Sequence, residues 1–85
     1  MSGADDRAVP PKDNAEFAAK YIPNAELWII PGPVGHEIFT NECNEEGRDE
    51  TPDGCIDAPG VDRAELHREI GAKALRFFGD SLRLR

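Results

Sequence analysis

Few side chains in this 85-residue chain can do chemistry beyond simple charge: His36, His67, Cys43, Cys55, Ser2 and Ser81, set among seventeen Asp and Glu. The most suggestive pair is Asp6 and His36. Asp6 lies in the Gly- and Pro-bounded stretch Gly3-Ala4-Asp5-Asp6-Arg7-Ala8-Val9-Pro10-Pro11, and His36 follows Pro31-Gly32-Pro33-Val34-Gly35. An imidazole can take the proton of a poor nucleophile, provided a carboxylate fixes its tautomer and stabilises the imidazolium that forms. Each residue taken alone has a plainer reading. Asp6 fits an Asx turn, in which the carboxylate caps nearby backbone N–H groups, and a single His after a Gly is ordinarily structural or solvated.

The elements that would position this pair can be read from breakers and periodicity. Pro10-Pro11 opens a helix over roughly Lys12 to Ile22, because a proline at the first turn gives up an N–H that has no partner there anyway. Asn14, Phe17, Ala18, Tyr21 and Ile22 recur on one face, and Pro23 ends the helix. Glu26 to Ile30 predicts a strand. Leu27-Trp28-Ile29-Ile30 is apolar without alternation, as in a parallel strand covered on both faces. His36 then stands just past the carboxyl end of that strand, the edge where open α/β sheets usually bind ligands. Asn41 to Gly60 predicts a long acidic loop. A last helix begins at Asp62, where Asp62 and Glu65 resemble a capping box. Leu66, Ile70, Ala74, Phe77, Phe78 and Ser81 form its apolar stripe to about Leu82. No second convincing strand is visible, since the residues before Asp5 are too few to supply more than a strand's tail.

The ordered set of turn, helix, strand, turn and helix resembles the last part of an α/β-hydrolase. There the triad acid sits in a G-x-x-D-x-x-V-P turn after one strand, and the histidine in a G-H turn after the next. Gly35-His36-Glu37-Ile38-Phe39, the following Cys43 and Ala58-Pro59-Gly60-Val61-Asp62-Arg63 are similar to predicted dienelactone hydrolases. The resemblance covers essentially the whole chain. It implies one partial α/β domain over residues 1–85 with an insert at 41–60. Asp6 would be the triad acid, His36 the base, and esters or lactones the substrate class of the complete fold, with no cofactor. It also implies a nucleophile on a G-x-S-x-G elbow, with an oxyanion hole of backbone N–H groups. Neither Ser2 nor Ser81 lies in such a motif. Two parts of the triad are therefore expected here without the third, and the chain alone is expected to be inactive. The acidic insert is expected near the site mouth, where it would disfavour anionic substrates.

Other sites compete for the same residues. Cys43 and Cys55 could form a disulfide in an oxidising compartment, worth on the order of 3 kcal/mol through loop closure, or stay reduced in the cytosol. His36, Cys43, Cys55 and His67 lack the close ligand pairs of structural zinc sites. Asp49-Glu50-Thr51-Pro52-Asp53-Gly54 imitates the start of an EF-hand, but Gly60 stands where the bidentate Glu belongs. His36-Glu37 is followed by Thr40 where a zinc-protease helix needs its second His. The acidic surroundings of Cys43 and Cys55 disfavour a reactive thiolate. His67, on the stripe with Ile70, reads as a packed histidine.

Composition narrows the classes further. The net charge of −7 argues against a general binder of nucleic acid or of anionic membranes. Most of it is local, because Asn41 to Asp57 holds seven acids and one base, whereas Arg63 to Arg85 holds six bases and three acids. No apolar run approaches the ~20 residues of a membrane span, and Met1 to Asp6 lacks the features of a secretory signal, which leaves cytoplasmic as the default address. A chain of this length buries little core. The alternative function is a non-catalytic module that self-associates or binds a partner through Glu26 to Ile30, because an uncovered strand edge is a template for another chain.

Overall fold

The computed structural model describes residues 1–82. Its elements are β1 (Ser2–Gly3), a 3-10 turn at Pro11–Asp13, α1 (Ala15–Tyr21), β2 (Ile29–Ile30), a 3-10 turn at His36–Phe39, α2 (Glu45–Glu50), α3 (Pro52–Cys55) and α4 (Arg63–Leu82).

The strands run parallel, Ser2 opposite Ile29 and Gly3 opposite Ile30. Ser2–Gly3 thus forms the second strand, where the sequence predicts at most a strand's tail. Pairing extends outward through Ser2 N–H to Trp28 O (3.1 Å) and Ala4 N–H to Ile30 O (2.9 Å). It stops there because Asp6 N–H turns back onto Gly3 O (3.1 Å). That brevity limits β2 as well. The strand expected over Glu26 to Ile30 shrinks to Ile29–Ile30, and Leu27, expected to be covered, is exposed.

Gly3 is the tightest point in this arrangement. A Cβ built there would collide with the carbonyl oxygen of Val34 and come within 2.9 Å of its carbonyl carbon. Backbone atoms cannot move aside as a flexible side chain does. Gly3→Ala is therefore expected to force β1 away from the Val34–Gly35 turn. The cost should be about 1–3 kcal/mol, as for other overpacked sites, read as a lower urea midpoint. An unchanged midpoint would show that the turn yields freely.

The first helix is divided. Asn14, at φ −125° and ψ −84°, separates the 3-10 turn from α1, while its side-chain amide donates to Pro10 O (2.9 Å). The apolar face read for this helix is largely uncovered, with Phe17, Tyr21 and Ile22 exposed. At the other end of the chain, α4 begins one residue after Asp62, whose carboxylate accepts the Glu65 N–H (3.1 Å). Only that half of the capping box forms. Glu65 turns to Arg68 instead.

Among the described residues three apolar side chains are buried: Ile30 from β2, Val34 from the turn after it, and Ile38 from the histidine turn. Trp28, Val61, Leu66 and Ile70 pack around them. The core thus sits under the turns that follow β2, held by the first half of α4. Farther along, Phe77 and Phe78 and the Leu27–Trp28 segment border a half-open groove of about 580 Å³. There the Lys73 ammonium lies 4.5 Å from the Trp28 ring centroid. The Cα radius of gyration is 14.5 Å, against about 12 Å for a compact domain of this length.

The segment expected as a loop, Asn41 to Gly60, carries two short helices. Asn44 caps α2 by accepting the Gly47 N–H (2.8 Å), and Glu45 and Glu46 occupy its first turn, where negative charge opposes the helix dipole favourably. Pro52 starts α3. No described helix is long and apolar enough to cross a membrane.

Candidate active site

Asp6 and His36, thirty positions apart, meet at the carboxyl ends of the two strands. His36 Nδ1 lies 2.9 Å from Asp6 Oδ2. The other carboxylate oxygen, Oδ1, accepts the N–H groups of Ala8 (3.0 Å) and Val9 (2.8 Å). One oxygen thus makes the Asx-turn contacts and the other faces the imidazole. The neighbouring Asp5 points elsewhere, to Arg7 (3.4 Å). Its backbone N–H, however, donates to Val34 O (2.9 Å), tying the turn that carries Asp6 to the turn that precedes His36.

The electrostatics follow from these contacts. Burial of the Asp6 carboxyl acts to raise its pKa, but the Val9 N–H, the His36 ring and the Ala8 N–H outweigh it and hold Asp6 below the ordinary 3.8. Its side chain is 5% exposed and that of His36 50%. The hydrogen bond to Asp6, then its charge, push His36 above the ordinary 6.5 against the opposing effect of burial, and Glu37 adds to the rise. An ionised carboxylate only accepts hydrogen bonds, so Nδ1 must carry the proton and donate it. In the neutral ring Nε2 is left as the basic nitrogen, the tautomer a general base requires. His36 borders a shallow cavity of about 310 Å³, whose other walls include Ser2, Val9, Asn14 and Phe39.

The acidic insert does not line that cavity, contrary to the expected place at the site mouth. Besides Asp6, the carboxylate acting on His36 is Glu37, which precedes the insert. Within the insert, Asp57 and Glu42 act on Arg63 instead. Arg63 is the residue that sequence reasoning missed. It is 6% exposed, and its guanidinium binds both Asp57 oxygens, Nε to Oδ2 (2.9 Å) and Nη2 to Oδ1 (2.8 Å). Nη2 also reaches Gly54 O (3.1 Å), while Nη1 reaches Asn41 O and Thr40 Oγ1 (both 3.2 Å). Hydrogen bonding to Asp57 raises its pKa further, although burial opposes this. In the sequence it is one of six bases in a positive tail, and nothing in its spacing sets it apart.

Cys43 and Cys55 are joined in a disulfide. The bridge and Arg63 close the insert at the same place, since Gly54 O and Asp57 flank Cys55. Reduction in dithiothreitol is expected to lower stability by about 3 kcal/mol, the loop-closure value for a separation of this size, read as a fall in the urea midpoint. An unchanged midpoint would mean that Arg63 alone holds the insert. Each of the four residues weighed as zinc ligands has another partner: His36 has Asp6, the cysteines have each other, and His67 Nε2 lies 2.6 Å from Ile38 O. Among the described residues no group of three or more His, Cys, Asp or Glu is placed to hold a metal ion.

No family model, curated protein or solved structure matches the chain.

Proposed function

We propose that Asp6 and His36 are the acid and base of a serine-hydrolase triad acting on ester or lactone bonds, as the resemblance to dienelactone hydrolases implies. The observation that carries this reading is the division of labour at Asp6. One carboxylate oxygen is fixed by two backbone N–H groups and the other by His36 Nδ1, leaving Nε2 as the base beside a cavity. Asp6 orients the ring and stabilises the imidazolium. His36 takes the proton of a serine hydroxyl and returns it to the leaving alkoxide. A G-x-S-x-G elbow would supply the serine, and backbone N–H groups of the complete fold its oxyanion hole.

The experiment pairs this chain with an α/β-hydrolase portion carrying such an elbow and follows hydrolysis of p-nitrophenyl acetate. Turnover is expected to depend on His36, falling about 10³-fold or more in His36→Ala, while the chain alone shows no hydrolysis that depends on His36. Equal turnover with and without His36, or His36-dependent hydrolysis by the chain alone, would overturn the proposal.

A second reading, self-association through the strand, is favoured by the exposure of Leu27 together with two sheet edges beyond a two-stranded pairing. Exposed edges and apolar side chains beside them template pairing with another copy. Concentration-dependent growth of the scattering radius is expected, and Leu27→Lys should suppress it. A monomer at all concentrations, with the 14.5 Å Cα radius of the single chain, would sink this reading.

A further inference from the structure

We propose that α4 positions the base of the acid–base pair through two side chains, Arg63 and His67, which latch the backbone that carries His36. The inference rests on reading Asp6 and His36 as a functional pair and assigns the residues that keep that pair in register.

The His36–Phe39 turn is poorly equipped to hold itself. It is a single four-residue 3-10 turn, a geometry with inferior hydrogen bonds. Its Ile38 N–H reaches Gly35 O only at 3.5 Å, although Thr40 N–H closes onto Glu37 O at 3.0 Å. The His36 ring is half exposed and has one tether, Asp6. A small displacement of the turn would lengthen that bond, and the ring has no second hydrogen-bond partner among the described residues to oppose it.

Two residues of α4 supply the missing restraint. His67 Nε2 meets the carbonyl oxygen of Ile38, and because a carbonyl only accepts, Nε2 donates. Arg63 Nη1 donates to Thr40 Oγ1 and to Asn41 O. The Thr40 hydroxyl in turn donates to Glu37 O at 2.8 Å, so the latch reaches the residue next to His36. Arg63 and His67 are four positions apart and share one face of α4. Arg63 is held in place by Asp57 and Gly54 O. The opposite side of the site is fixed by Asp5 N–H on Val34 O. Neither Arg63 nor His67 bonds to His36, which makes both positioning residues.

The test is NMR titration of His36 in the full chain, together with its low-field Nδ1–H resonance. In His67→Ala the His36 pKa should fall by at least about 0.5 toward its ordinary value, and the Nδ1–H signal should broaden or vanish. His67→Gln, whose amide can still donate to Ile38 O, should restore both. Arg63→Met should act in the same direction. If Arg63→Met does not fold, the two His67 variants decide the matter. A His36 that responds to Asp6→Asn but titrates as in the parent chain in folded His67→Ala overturns the latch and leaves the proposed pair intact. A His36 indifferent to Asp6→Asn overturns the pair itself.

Discussion

Asp6→Asn is expected to bring the His36 pKa down toward its ordinary 6.5 or below and, on the proposed triad reading, to cut ester turnover about 10⁴-fold when the chain is paired with an elbow-bearing portion. The substitution is selective. The Asn carbonyl can still accept the N–H groups of Ala8 and Val9, which now bind Asp6 Oδ1, so the turn should survive. What disappears is the charge facing Nδ1. With its oxygen held by Ala8 and Val9, the Asn turns its NH2 toward Nδ1, and because that group only donates, the ring is driven to the tautomer with its proton on Nε2, the wrong nitrogen.

The same pair gives stability a definite pH dependence. His36 is raised on folding, so its contribution is whole below the unfolded value near 6.5 and fades as pH climbs through the higher folded value. Asp6 is lowered on folding, so its contribution is present above 3.8 and fades as pH falls through the folded value. The two overlap between 3.8 and 6.5. Denaturant midpoints of the parent chain and Asp6→Asn should therefore differ most within that window and less at pH 8. A difference that does not vary with pH would show that the pair contributes nothing by charge.

Arg63→Met should produce the largest loss of stability of any single substitution considered, about 3 kcal/mol by analogy with other buried ion pairs broken on one side. The methionine keeps the bulk of the aliphatic stem but removes five hydrogen bonds. It leaves Asp57, 21% exposed, without its counter-charge, and strips Gly54 O and Asn41 O of a donor. A chain this small has a total stability of roughly 4–13 kcal/mol. The loss should therefore be plain in the urea midpoint and in earlier hydrogen exchange across 41–57. Arg63→Lys is expected to recover little, because an ammonium cannot match the planar two-point contact with Asp57. An unchanged midpoint would show that the disulfide suffices.

What could be read from the sequence depended on how locally each feature is encoded. The Asp6 and His36 turns were legible because glycine and proline mark both. The start of α4 was legible in Asp62, and Leu66 and Ile70 do face the core. β1 was hidden because Ser2–Gly3 shows neither alternation nor β-branched residues, and its pairing exists only through contacts with a distant strand. The helices of the insert were missed for another reason. Gly47, Pro52 and Gly54 count as breakers, yet Asn44 before Glu45-Glu46 and Pro52 at a first position are also starting signals. Arg63 was invisible because its partners at 40, 41, 54 and 57 converge only when the insert folds back.

Gly3 has a consequence for the accuracy of folding as well as for its stability. A two-residue parallel pairing has little to distinguish one alignment from the next, and a shift of one residue would displace Asp6 by about 3.3 Å and turn it to the opposite face. Gly3 is the only residue among the first nine without a Cβ. Sliding β1 either way would bring Ser2 or Ala4 against the Val34 carbonyl, where a Cβ does not fit. The missing side chain thus works as a key cut for one alignment of the strands, the one that sets a carboxylate opposite an imidazole.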